Sequence, residues 1–145
     1  MSYSRFPKQG PSFTPAYQIS GVPFVTSSNG SEIGTTVPVK IEFPFVTRWI
    51  QVRNTGDRVL RVGFTSRGVS VLTEDQNYFQ LNPSNSASGF SQARTDVWEI
   101  RCKEIWVVCQ SLTPSDTTGF SLCAGLTGIE SFPVITGSNG FKGVG

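Results

Sequence analysis

The sequence predicts an all-β fold, a single jelly-roll β-sandwich of about eight strands preceded by an extended N-terminal arm. Three observations carry this expectation. Apolar and polar residues alternate at period two through most of residues 24–124, and no long stretch repeats its apolar residues at helical spacing. Fifteen Gly and nine Pro stand against a single Met, in a chain rich in Thr, Ser, Val and Phe, which favours pleated structure with many turns. Turn clusters then divide the alternating runs at the spacing of a sandwich or barrel, and two four-stranded sheets suit that number of strands best. At 145 residues the chain fits one domain, long enough to bury about two thirds of the surface its unfolded form exposes.

The arm is residues 1–23. Pro7, Pro11, Pro15 and Pro23 alternate with Phe6, Phe13 and Tyr17; proline stops helix and discourages an internal strand, so the segment reads as extended. Its aromatic residues set it apart from a merely solvated tail, which is poor in them. Docking, on its own body or on a neighbour, explains them best.

The body, residues 24–130, offers strands near 24–27, 37–43, 46–53, 59–65, 69–73, 77–81, 96–102, 105–112 and 118–124. Between them lie Ser28-Asn29-Gly30, Asn54 to Asp57, Arg67-Gly68, the long loop from Asn82 to Gln92, and Thr113 to Gly119. A Gly-rich tail, residues 131–145, follows, in which Phe132, Val134 and Ile135 are the expected anchors.

The densest part is FPFVTRWIQVRNTGDRVLRVGFTS, Phe43 to Ser66, where arginines stand among Val, Ile, Trp and Phe. By parity, Val46, Ile50 and Val52 share one face of a strand, and Thr47, Trp49, Gln51 and Arg53 the other. After the turn residues the phase resumes, with Leu60, Val62 and Phe64 inward and Val59, Arg61, Gly63 and Thr65 outward. Arg53 and Arg61 are thus expected on a wet face, Arg58 beside the turn and Arg67 in the next turn. Arg48 alone falls on the apolar parity, where it needs an acceptor or a route to water. Because consecutive strands of a jelly roll often belong to opposite sheets, continuous parity across Gly56 does not imply a hydrogen-bonded hairpin.

In TDVWEIRCKEIWVVCQSL, Trp98, Ile100 and Cys102 hold one parity, and Ile105, Val107 and Cys109 hold the other. This phase slip predicts a bulge or tight corner at Lys103-Glu104. The run Ile105 to Val108 is apolar on both faces, as in a central strand or one whose outer face meets a partner.

Charge and cysteine content narrow the function classes. Twelve Lys and Arg against ten Asp and Glu leave +2, so nucleic acid is not the expected partner, although residues 48–67 are locally basic. No run has the length and apolarity of a signal peptide or membrane span, and Cys102, Cys109 and Cys123 are an odd set without framework spacing. Reduced thiols in a cytosolic setting are the expectation. On one unbroken strand Cys102 and Cys109 would stand about 23 Å apart on opposite faces, beyond disulfide reach.

Catalytic chemistry has little to work with. The chain has no histidine, which removes the commonest general base, the Ser-His and Cys-His nucleophile pairs and the commonest metal ligand. Three cysteines without histidine fall short of a structural zinc set. Glu74 and Asp75 read as solvated loop acids, Glu99 and Arg101 as an exposed pair on one strand face, and Gly137 to Gly140 lacks the Lys and following helix of a phosphate loop. No enzyme, cofactor or metal is expected.

The phrases VTRW, LRVGFT and CKEIW stand within Phe43 to Asn54, Leu60 to Val69, Asn77 to Leu81 and Trp98 to Val107. This pattern resembles the small single jelly-roll capsid proteins of large icosahedral DNA viruses, those that form the penton at fivefold vertices. The arm and the tail lie outside the resemblance. It implies a non-enzymatic subunit of the virion, a homopentamer with its sheets roughly upright, meeting the major capsid protein and assembled in the host cytoplasm. A ring of copies requires heterologous contacts between different flanks, for which Arg48, Trp49 and Trp106, with Phe6, Phe13 and Tyr17 of the arm, are the candidate interface residues. The competing classes are a carbohydrate-binding jelly roll, using exposed aromatics and the Asn82 to Gln92 loop, and a capsid decoration protein.

Overall fold

The structure, a computed structural model, describes residues 21–28, 32–72, 76–85 and 93–145. Phe6, Phe13 and Tyr17, the turn at Asn29-Gly30, the acids Glu74 and Asp75 and most of the Asn82 to Gln92 loop lie outside the described residues.

Among the described residues the chain is nearly all β, in two antiparallel sheets with one short helix. The elements are β1 (Val22–Ser27), β2 (Val39–Glu42), β3 (Thr47–Asn54), β4 (Val59–Gly63), α1 (Ser66–Val69), β5 (Phe79–Leu81), β6 (Glu104–Gln110) and β7 (Phe120–Leu126). One sheet has the order β1-β7-β3, the other β2-β6-β4-β5. Residues 93–102 run beside β3 without forming a regular strand. Ile50 and Trp98 exchange backbone hydrogen bonds at 2.8 Å, Thr95 donates to the Val52 carbonyl, and Asn54 donates to the Ala93 carbonyl at 2.7 Å.

The alternation of β3 and β4 is realised as expected. Ile50, Val52, Leu60 and Val62 are buried between the sheets, while Phe64 is half-buried against the same core. Although their phase is continuous, β3 and β4 lie in different sheets, so the Asn54 to Asp57 turn carries the chain across the sandwich. Lys103-Glu104 does the same: residues 93–102 lie against β3, Glu104 opens β6 in the other sheet, and the Lys103 carbonyl accepts from Phe43 N–H at 2.8 Å. β6 is central, between β2 and β4. Its Ile105, Val107 and Cys109 face the core, and the outward Val108 is fully buried.

Several expectations are corrected. Residues 69–73 do not begin a strand, because Thr65 caps a helical turn: its Oγ1 accepts from Gly68 N–H at 2.9 Å and Val69 becomes the last residue of α1. This turn packs on β4 and β6, and its Val69 occupies the space a side chain at Gly63 would need. Residues 96–102 do not form a regular strand, because the pairing slips: Arg53 bridges Arg94, Ile50 bridges Trp98 and Thr47 N–H donates to Cys102, each step adding one residue on the 93–102 side. Val22 and Pro23, assigned to the arm, belong to β1; Pro23 is tolerated because β1 is an edge strand.

Arg61, expected in water, is half-buried. Its guanidinium lies 4.0 Å from the centre of the Tyr78 ring, with Nε donating to Gln110 Oε1 at 2.9 Å and an Nη to the Ser70 carbonyl at 3.1 Å. The chain around α1 covers the outer face on which Arg61 stands. Thr65 and Thr47, both expected outward, are buried. Thr47 sits where the β3–β7 register slips, and its hydroxyl donates to the Ile100 carbonyl at 2.7 Å. In the tail, Ile135 packs on the core and Phe132 lies beside Phe141, whereas Val134 is exposed.

Asn54 ends β3 on the core-facing parity and is completely buried. Its Oδ1 accepts from Gly56 N–H at 3.0 Å and Thr118 Oγ1–H at 2.9 Å, while Nδ2 donates to the carbonyls of Arg58, Leu81 and Asn82. One side chain thereby joins the ends of β3 and β5, the crossing to β4 and the loop before β7.

Candidate interaction surface

The expected interface residues of the body do not converge. Trp49, on β3, has the parity opposite to buried Ile50, and Trp106, on β6, has the parity opposite to buried Ile105 and Val107. They therefore stand on the two opposite outer faces of the sandwich, both half-buried. Arg48 is half-buried at the register slip between Thr47 and Trp49.

The two flanks between the sheets differ in chemistry. On the β1/β2 flank the gap is narrowed by Phe24, which meets Phe43 edge to face at 5.3 Å. On the opposite flank, β5 and residues 93–102 leave the sheets parted. Phe79 pairs with Val62, and Trp98 with Ile50, so both face the gap. Their rings meet edge to face at 5.0 Å, yet Phe79 remains 50% exposed. A groove of about 490 Å³ opens here, lined by Phe64, Tyr78, Phe79, Trp98, Ile100 and Val144 among others. It continues past Phe79 and Trp98 into a more polar hollow edged by Gln80, Asn82, Arg94, Thr95 and Asp96. The C-terminal tail forms part of the wall, held by the hydrogen bond from Thr65 Oγ1 to the Val144 carbonyl.

Sequence reasoning did not single out Tyr78, Phe79 or Trp98 as a site. The signal present was three aromatics in two segments whose strands are short or irregular, but only the facing of the two sheets brings those segments together.

The polar groups off this groove form local pairs. Lys40 on β2 meets Glu104 on β6 at 2.8 Å, and this hydrogen bond, with the charge of Glu104, raises the Lys40 pKa. Arg58 Nε meets Asp116 Oδ2 at 3.0 Å. Asp116 also accepts from Ser111 Oγ–H, and these two partners, the Ser111 bond first, hold its carboxyl below the ordinary value. Cys102 and Cys109 are buried and Cys123 half-buried, all as free thiols; burial pushes the Cys102 thiol up to about 11. Among the described residues no group of three or more Cys, Asp or Glu is placed to hold a metal ion, and no helix is long and apolar enough to cross a membrane. No family model, curated protein or solved structure matches the chain.

Proposed function

We propose that this chain is a structural capsid subunit built on a single jelly roll, forming the homopentameric penton at the fivefold vertices of an icosahedral virion. The observation that supports this most is the strand order. With residues 93–102 counted beside β3, one sheet reads β1-β7-β3-(93–102) and the other β2-β6-β4-β5. Every connection except that from β4 to β5 then crosses between sheets, a winding that supports the jelly-roll reading, an architecture that serves both capsid and lectin domains. Trp49 and Trp106 on opposite outer faces suit a heterologous ring, in which one face of each copy meets a different face of the next. On this reading the subunit does no chemistry, contacts the major capsid protein around the vertex and is assembled in the host cytoplasm.

A carbohydrate-binding role is the second reading. It is favoured by the exposed Phe79 beside Gln80, Asn82, Arg94 and Asp96, an aromatic face with polar neighbours of the kind a sugar uses. A decoration protein that coats a shell from outside has no residue that speaks specifically for it. Imaging of the purified protein in its assembled form decides between them: fivefold rotational symmetry supports the penton, whereas a monomer that is retained on a glycan array supports the second reading.

A further inference from the structure

We propose that the aromatic groove between β5 and residues 93–102 is the seat for the N-terminal arm of an adjacent copy, so that each subunit is tethered head to tail by its own first twenty residues. This rests on the reading of the chain as a self-assembling subunit. The groove is apolar, walled by Tyr78, Phe79 and Trp98, and open to solvent at Phe79. Proline-rich segments bind aromatic-lined grooves of this kind, because a chain already restricted by proline loses little conformational freedom on docking. The arm has the matching chemistry: Pro7, Pro11 and Pro15 recur every fourth residue, with Phe6, Phe13 and Tyr17 between and beyond them.

Placement puts a neighbour's groove within reach of the arm. The described chain begins at Gly21, directly before β1, and β1 is the edge of its sheet on the flank opposite the groove. Flank to flank the body is about 15 Å across its strand spacings, while twenty residues in a polyproline path reach about 60 Å. That reach also spans from one copy to the groove of the next when the copies meet through their outer faces. Repeated head to tail, the tether supports a ring whose rotation is set by the outer faces that carry Trp49 and Trp106.

The test uses the full chain carrying a photoreactive benzophenone side chain at Phe13, with ordinary and nitrogen-15-labelled copies unfolded together in urea and refolded as mixed assemblies before irradiation. Crosslinked peptides joining the arm of one isotope to residues 76–79 or Trp98 of the other are the expected result. Phe79→Ser, at an exposed site, should lower that yield about tenfold or more, as loss of a buried aromatic contact requires. Phe6→Ser, in the arm, should lower it too while leaving the body's circular dichroism unchanged. Crosslinks confined to copies of one isotope would show the arm serving its own body and overturn the tether, as would crosslinks elsewhere on the neighbour. Mass measurement of the unmodified protein separates the two readings: a protein that assembles but crosslinks elsewhere loses only the groove contact, whereas one that stays monomeric loses self-assembly and the tether together.

Discussion

The indole of Trp49 lies directly across the Cα of Gly125 on the neighbouring strand β7. A Cβ at Gly125 would come within 2.7 Å of Trp49 Cε2 and 2.8 Å of Cδ1, closer than real Cβ atoms approach. The glycine thus lets a large aromatic ring lie on the outer face of the β1-β7-β3 sheet, where it stays partly exposed. Gly125→Ala should force the ring off the sheet and cost about 1–3 kcal/mol. The midpoint in urea and the tryptophan emission should shift together; an unchanged spectrum would mean that the indole is not held by this contact.

Asn54 makes a sharper prediction about the fold. Removing its side chain takes their shared partner from the Gly56 N–H and the Leu81 and Asn82 carbonyls, and leaves the Thr118 hydroxyl only the Arg58 carbonyl to donate to. Asn54→Ala should cost about 2–4 kcal/mol in equilibrium unfolding. Asn54→Asp should cost at least as much at neutral pH, since it turns a donor into a second acceptor facing those carbonyls. An aspartate variant more stable than the alanine one would count against the assigned orientation of the amide.

The Asp116 carboxylate links stability to acid. Ser111 and Arg58 both favour its charged form, so its folded pKa lies below that of the unfolded chain. The stabilisation is therefore fully present above the unfolded value and is lost as pH falls through the folded one. Between about pH 5 and pH 2 the wild type should lose stability more steeply than Asp116→Asn, measured by denaturant unfolding at each pH. Parallel curves would show that neither Ser111 nor Arg58 favours the charged carboxylate in the folded state.

The thiols respond at the other end of the scale. Burial raises Cys102 from 9.0 to about 11, so folding favours the neutral thiol. Its contribution is complete below the unfolded value and declines as pH rises towards 11. In native protein Cys123 should react first with a thiol reagent, with Cys102 and Cys109 reacting only at the rate of opening. Equal rates for all three would contradict the burial.

How much of this is legible in the sequence depends on whether an element is fixed by its own pattern or by its neighbours. The Ile50, Val52, Leu60 and Val62 alternation is local and readable, and the phase slip at Lys103-Glu104, read as a bulge or tight corner, falls where the chain changes sheet. Val69-Ser70-Val71 also looks like a strand, but a threonine cap and a glycine that admits close packing, Thr65 and Gly68, decide for a helical turn. Arg61 has an outward parity, yet it is covered by a segment whose position depends on that turn. The groove is the least readable feature, since Phe79 and Trp98 face each other only once two separate sheets are stacked.

Deletion of residues 1–20 tests how body and arm divide their roles. The described core closes on itself at its N-terminal end: β1 pairs with β7 along its whole length, and Phe24 reaches the cluster through its edge contact with Phe43. Gly21 already abuts the Gly125 backbone, leaving no room for a side chain there. The truncated protein should therefore keep a β-type circular dichroism spectrum and a midpoint in urea close to that of the full chain. Assembly should suffer instead, because each arm aromatic buried on a neighbour is worth about 1.5–3 kcal/mol and a ring multiplies that loss over its contacts. Sedimentation should show the truncated body shifted to smaller species at concentrations where the full chain is assembled. If the truncated protein fails to fold, the arm belongs to the core of its own domain; if its assembly is unaltered, the arm has no part in holding the copies together.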